Sequence, residues 1–271
     1  PPFMQPLAAE KLDSLSFERL VRFWRHPVRA FFSMRLGVSF RLEEMELPDA
    51  EPFALDGLTR YQMNAQLLNS LIEGEESSRL YARQRASGAL PYGAFGELVW
   101  QEQEQEMNVL ASRVREQRAA AESREISLLV DGVLLTGWLA QVQDSGLLRW
   151  RPGNLNFKDG LTLWLEHLVY CATGGNGTSL MLGRNDSEWR FPAITADDAL
   201  HQLARYVAGY REGMCSPLLL TESGAAWLEE SYDESSGELL RDDAVQKKAR
   251  NKLLARWQGN YQIEGEGSDP Y

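Results

Sequence analysis

Three carboxylates, Glu97, Asp131 and Asp144, are the side chains this chain could turn to metal-assisted hydrolysis. A hard divalent cation is held by anionic oxygens, and only a held cation lowers the pKa of its bound water. Their settings weaken that reading. Asp131 precedes Gly132 and Asp144 precedes Ser145-Gly146, places where Asp is favoured for backbone geometry alone. Glu97 is a lone carboxylate in a helical stretch, where surface exposure or ion pairing is the common fate. His201 has no His or Cys at ligand spacing, and Cys171 and Cys215 cannot build a Cys-rich metal site or a disulfide framework. Two cysteines suit a reducing cytoplasm. Gly174-Gly175-Asn176-Gly177 lacks the lysine and spacing of a phosphate-binding loop and reads as a flexible turn. Arg19, Arg22, Arg25 and Arg29, with Arg35 beyond, share one broad helical face that could track phosphates. The plainer expectation is a solvated face, or one paired with the acidic stretch Glu43 to Asp56.

The elements around these residues are legible from period and punctuation. Ser14 to His26 reads as a helix, capped by Ser14 or Ser16 and interrupted by Pro27. Leu47 to Asp56 reads as a loop. Gly57 to Arg83 reads as two helices split near Gly74, and a helix follows from Phe95 to about Gln117, with Gln101 to Glu106 as a solvated face. Glu125 to Val130 and Val133 to Gln143 flank Asp131-Gly132, a two-residue hairpin signal. Leu147 to Arg151 returns as a third strand, stopped by Pro152-Gly153. The alternation of strand side chains puts Arg149 and Arg151 on one face and Trp150 on the other; Trp138 and Trp150 are expected in the core. A helix around Leu161 to Cys171 follows. Then come a hairpin of Ser179 to Leu182 with Glu188 to Phe191, a helix from Ala199 to Tyr210, an acidic and partly mobile stretch from Glu222 to Glu238, and a basic helix from Lys247 to Arg256.

The bounds fit an α/β protein with a mixed central sheet and flanking helices. The 271 residues suit one main domain, 13–271, after a lead of residues 1–12, with a helical insertion over about 41–120. A net charge of −11 and a pI near 4.9 argue against a free-standing module that wraps nucleic acid in a basic surface, and make protein partners the expectation. No run of about 18 apolar residues occurs, so no membrane span is expected. A start at Pro1-Pro2-Phe3-Met4 and an abrupt end at Tyr271 read as a fragment of a longer chain.

The strand, turn, strand and helix from Gly137 to Tyr170 resemble the core of the PD-(D/E)XK nucleases, in the RecB-like branch of which the strands read G-x-x-D-R-V and D-Y-K-T-G and the helix Q-x-x-x-Y. Laid on that pattern, the first acid falls on Ala140, the second on Arg149 and the lysine on Arg151, while the helix offers Glu166 and Tyr170. Leu90, Pro91 and Gly93 match the entry L-P-x-G-x-x-x-H, with Glu97 at the histidine. His26-Pro27-Val28-Arg29-Ala30-Phe31-Phe32 resembles C-P-x-x-F-F without its cluster-ligating cysteine. Gly209 to Gly213 with Ser216-Pro217-Leu218 resembles G-x-x-x-P-L. Gly265 to Tyr271 resembles the closing G-E-x-x-D-P.

The order of these motifs, with the acids lost and the glycines kept, is similar to the C-terminal nuclease-like domain of the RecC family. The resemblance implies an inactivated nuclease fold with no catalytic residue, no metal and no other cofactor. It further implies a cytoplasmic place in a RecBCD-type helicase-nuclease, exonuclease V, beside RecB-like and RecD-like helicase subunits, serving double-strand-break repair and degradation of DNA ends. There the domain would help split and channel DNA strands, with Arg149 and Arg151 as candidate DNA contacts. Two alternatives stand beside it: a working metal-dependent nuclease with displaced ligands at Glu97, Asp131 and Asp144, and a pure protein-docking module.

Overall fold

The computed structural model describes residues 5–39, 57–218, 222–233, 235–259 and 265–269. The loop expected at Leu47 to Asp56 and the acids Glu43 to Asp56 lie outside these. The chain divides into two compact units, one from residues 1–44, 131–134 and 205–271, the other from 45–130 and 135–204.

In the first unit a short strand, β1 (Ser14–Ser16), occupies what the pattern assigned to the head of a helix. Its backbone joins a ladder instead: the Leu134 N–H donates to the Asp13 carbonyl at 2.9 Å. Ser16 then caps α1 (Phe17–Arg25), accepting from the Arg19 N–H. Pro27 starts a new turn, α2 (Pro27–Ala30), because the first helical position needs no N–H. A π-turn, Phe31–Arg35, ends the segment. Among the described residues the arginine stripe pairs in part, Arg22 with Glu18, Arg29 with Asp269 and Arg35 with Glu10, while the acidic stretch Glu43 to Asp56 lies outside them.

The second unit begins with α3 (Gly57–Ile72), α4 (Ser77–Ala86) and α5 (Ala94–Gln117). Met63, Leu67 and Leu71 of α3 recur at helical spacing and pack with Trp100, Met107, Leu110 and Val114 of α5 onto Leu148, Leu180 and Leu182 of the sheet. Each such side chain contributes roughly 1.5–3 kcal/mol by burial. The run Gln101 to Glu106 is less exposed than expected, because Gln103 is buried and accepts from the Asn64 amide at 2.7 Å.

The sheet runs β2 (Glu122–Val130), β3 (Val133–Gln143), β4 (Gly146–Trp150), β5 (Ser179–Leu182) and β6 (Glu188–Phe191) in spatial order. β3 pairs antiparallel with β4, β4 parallel with β5, and β5 antiparallel with β6, so the sheet is mixed. Asp131 and Gly132 both take positive φ, 48° and 74°, which the two-residue turn between β2 and β3 demands. Helix α6 (Phe157–Ala172) makes the β4-to-β5 crossover, and its start is fixed by a reciprocal capping box between Asn156 and Asp159. Trp150 packs beside the α3–α5 core, but Trp138 is 66% exposed, against expectation. β3 presents it to solvent on the face opposite Leu139.

Helix α7 (Ala196–Gly213) buries Ala199, Leu203, Val207 and Tyr210 along one stripe. In the first unit Gly209 lies against the Trp24 ring and Gly213 against that of Phe23, where a Cβ would stand 2.6 and 2.3 Å from ring carbons. The stretch from Glu222, read from the sequence only as acidic and partly mobile, contains helix α8 (Glu222–Ser231), followed by the strands β7 (Tyr232–Asp233) and β8 (Glu238–Leu239). Helix α9 (Asp243–Gln258) lies against α8. A 3-10 turn, Glu266–Ser268, follows, and the Glu266 carboxylate accepts from the N–H groups of Glu222 and Ser223 at 2.7 and 2.8 Å. Among the described residues no helix is long and apolar enough to cross a membrane.

Candidate functional site

Along β3 the buried apolar side chains Val133, Leu135 and Leu139 are spaced by even numbers of residues, and the next, Val142, breaks that parity. That break in parity is a bulge. Gln141 carries it with a φ of 54°, a conformation costly for a residue with a Cβ. The carbonyls of Ala140 and Gln141 both accept from the same side chain, that of Arg149 on β4, at 2.7 and 3.4 Å.

Arg149 gathers two further oxygens. Its Nε donates to Glu166 Oε2 on α6 at 3.0 Å, and one terminal nitrogen also donates to the Leu148 carbonyl at 3.0 Å. The side chains of Arg149 and Glu166 are each 20% exposed. Burial pushes the Glu166 carboxyl above its ordinary range, and the charge and hydrogen bond of Arg149 oppose that rise. The result is a fixed monocation in a cage of one carboxylate and three carbonyl oxygens.

Arg151 is held as firmly. It donates to Asp159 Oδ2 at 2.7 Å and lies over the Tyr61 ring at 5.4 Å. Asp159 meanwhile accepts from the Asn156 N–H, so the arginine closes onto the capping box of α6. Tyr170 is buried elsewhere on that helix. Its hydroxyl accepts from the Gly177 N–H at 3.0 Å, and its ring lies where a Gly175 Cβ would come within 2.4 Å. The glycine-rich loop expected to be a flexible turn is thus fitted around this tyrosine.

The remaining sequence candidates are placed as follows. Glu97 is exposed in the first turn of α5, Asp144 is exposed in the turn before β4, and Asp131 pairs with Arg211. Among the described residues no three His, Cys, Asp or Glu side chains come together in a way that could hold a metal ion. The donor set around Arg149 does not fit a divalent cation either, since it offers one carboxylate and already surrounds a guanidinium.

Two participants were not anticipated. Gln141 had a legible trace in the broken parity of β3. His167 had none, being one more residue of an amphipathic helix. It is wholly buried, with Nε2 at 2.9 Å from the Pro192 carbonyl and Nδ1 at 2.7 Å from Ser179 Oγ, and Ser179 in turn accepts from the Leu147 N–H. A neutral imidazole donating from Nε2 and accepting at Nδ1 satisfies all three bonds. Burial pushes its pKa below the ordinary value of 6.5.

The model of the family described as "RecC C-terminal domain" matches residues 12–232. The chain belongs to this family. The protein named RecBCD enzyme subunit RecC in Escherichia coli K12 is 55% identical to the chain over 268 residues, 98% of this chain and 24% of that protein. The subunit of the same name from Buchnera aphidicola of Acyrthosiphon pisum is 34% identical over 259 residues, 96% of this chain and 24% of its own. The one from Haemophilus influenzae is 26% identical over 210 residues, 74% of this chain and 19% of its own. The chain therefore spans about a quarter of the length of its RecC relatives.

Within that family frame, two motif elements come into contact. His26 Nε2 meets Asp269 Oδ2 at 3.0 Å, while its Nδ1 accepts from the Arg29 N–H and so caps α2. The residue at the expected cysteine position thus binds the closing segment.

Proposed function

We propose that this chain is a nuclease-like module of the PD-(D/E)XK type whose metal site has been filled by a guanidinium, and that it acts without chemistry inside a RecBCD-type assembly. There it would stiffen a surface for splitting and channelling DNA strands and dock RecB-like and RecD-like subunits, in double-strand-break repair and in degradation of DNA ends. Family membership supports the assembly, and β3, β4 and α6 supply the strand, turn, strand and helix of the nuclease layout.

The observation that carries the non-catalytic reading is the Arg149 cage. At 4 Å and an effective dielectric near 20, unit charges repel by about 4 kcal/mol, and a divalent cation beside a guanidinium by about twice that. The reading is tested with the full-length protein and its partner subunits: nuclease activity of the assembly should survive Glu97→Gln, Asp144→Asn and Glu166→Gln. Loss of cleavage in any of these, with assembly intact, would restore the displaced-ligand nuclease.

One observation favours docking over direct DNA contact at this site. Arg149 and Arg151, the candidate contacts, are both engaged within the chain. Crosslinking a duplex end to the whole assembly separates the two readings: adducts on this chain support a place on the DNA path, and adducts confined to other subunits support docking alone.

A further inference from the structure

Helix α9 is a cationic element on an acidic chain. From Lys247 to Arg256 it carries Lys247, Lys248, Arg250, Lys252 and Arg256 and no acid, while the whole chain has a net charge of −11. Ala249 is its one buried residue, so a narrow strip anchors the helix and most of its circumference faces solvent. Lys248 and Lys252 are committed to Glu230 of α8, the second at 2.7 Å. Lys247, Arg250 and Arg256 are exposed and have no acidic partner among the described residues. Trp257, 47% exposed, stands directly after them.

We propose that α9 carries the sugar-phosphate backbone of a single DNA strand. The inference rests on the reading of the chain as part of a DNA-handling assembly, and names where on it a strand would run. At 1.5 Å per residue the stretch from Lys247 to Arg256 is roughly 14 Å long. Arg256, nine residues on from Lys247, lies about half a turn round the helix, whereas Lys247 and Arg250, three residues apart, share one face and could meet successive phosphates of a strand. Asn251 and Gln258, also exposed, add neutral donors to the same outer face. An exposed indole beside cations suits unpaired bases, which stack on aromatic rings as paired ones do not. A docking helix for a protein partner would present an apolar stripe, and among the exposed residues of α9 only Leu254 and Trp257 are large and apolar.

The test uses the full-length protein containing this chain and a fluorescent oligothymidylate, with affinity measured across salt concentrations. In the variant Lys247→Gln/Arg250→Gln the plot of log affinity against log salt should become less steep by about 1.4, and binding at physiological salt should weaken several-fold. The charge-preserving variant Lys247→Arg/Arg250→Lys should keep both. An unchanged slope in the glutamine variant, with the unsubstituted protein binding normally, overturns this inference alone. Absence of salt-dependent binding by the unsubstituted protein overturns the DNA-handling reading and this one with it. Loss of a co-purifying subunit with DNA affinity intact assigns the helix to a protein partner and likewise overturns it.

Discussion

Arg149 and Glu166 hold β4 to α6 across the sheet with a 3.0 Å ion pair whose two side chains are four-fifths buried. The guanidinium also ties down the bulge at Ala140 and Gln141. Removing it in Arg149→Ala takes a donor from a carboxylate and three carbonyls, and should destabilise the fold by about 2–3 kcal/mol, somewhat under the cost for a fully buried pair. The double variant Arg149→Met/Glu166→Leu, which removes both charges, should recover most of that. Denaturant unfolding of the two variants and the double-mutant cycle measures it.

His167 makes stability depend on pH. Its folded-state pKa lies below 6.5, so between those values the unfolded chain takes up a proton that the folded chain refuses. Stability from this group is complete above pH 6.5 and is lost as pH falls through that window. Glu166, whose pKa is raised, acts with the opposite sign above about pH 4.5, losing stability as pH rises. The two are separated by comparing thermal unfolding from pH 7 to pH 5 in the natural chain and in His167→Gln. The acid-side loss should be smaller in the variant, which will also be about 1–3 kcal/mol less stable at neutral pH.

Gly146 opens β4 with a φ of 127°, and a Cβ there would stand 2.1 Å from the Thr178 carbonyl oxygen. Gly146→Ala should therefore cost more than 2 kcal/mol, from strain and from parting β4 and β5. Gly88→Ala, at a φ of 74° with open space around it, should cost less, about 1 kcal/mol. Urea midpoints for the pair would check the ranking.

Glu266 serves as a remote cap for α8, its two oxygens receiving the N–H groups of Glu222 and Ser223. Glu266→Ala should destabilise this end of the chain by about 1 kcal/mol, and hydrogen exchange at the first turn of α8 should accelerate. Exchange in α3 and α5 should be unaffected.

Much of the fold was legible because its signals are local. Asp131-Gly132 announced its hairpin, Gly74 separated α3 from α4, and β5 and β6 fell on the expected residues. Where long-range pairing decides, sequence reasoning erred: Ser14 to Ser16 look like a helix start but pair with the beginning of β3, and Trp138 looks like core but lies on a strand face that remains open. The site was half readable. Ala140, Arg149 and Glu166 were picked out by motif position, yet their common bond network depends on a bulge at Gln141 and on a helix packed from the far side of a crossover. Nothing in the sequence around Arg151 foretold its partners Asp159 and Tyr61, since one is committed to a cap and the other lies on a helix far away in the chain.

The central claim is that a guanidinium fills the place of a metal ion. Its most direct test is a calorimetric titration of the full-length protein with manganese, comparing the natural chain with Ala140→Asp/Arg149→Asp. The expected result is no saturable uptake attributable to this site in the natural chain, and new uptake once two carboxylates join Glu166. Saturable binding by the natural chain that vanishes in Glu166→Gln would contradict it.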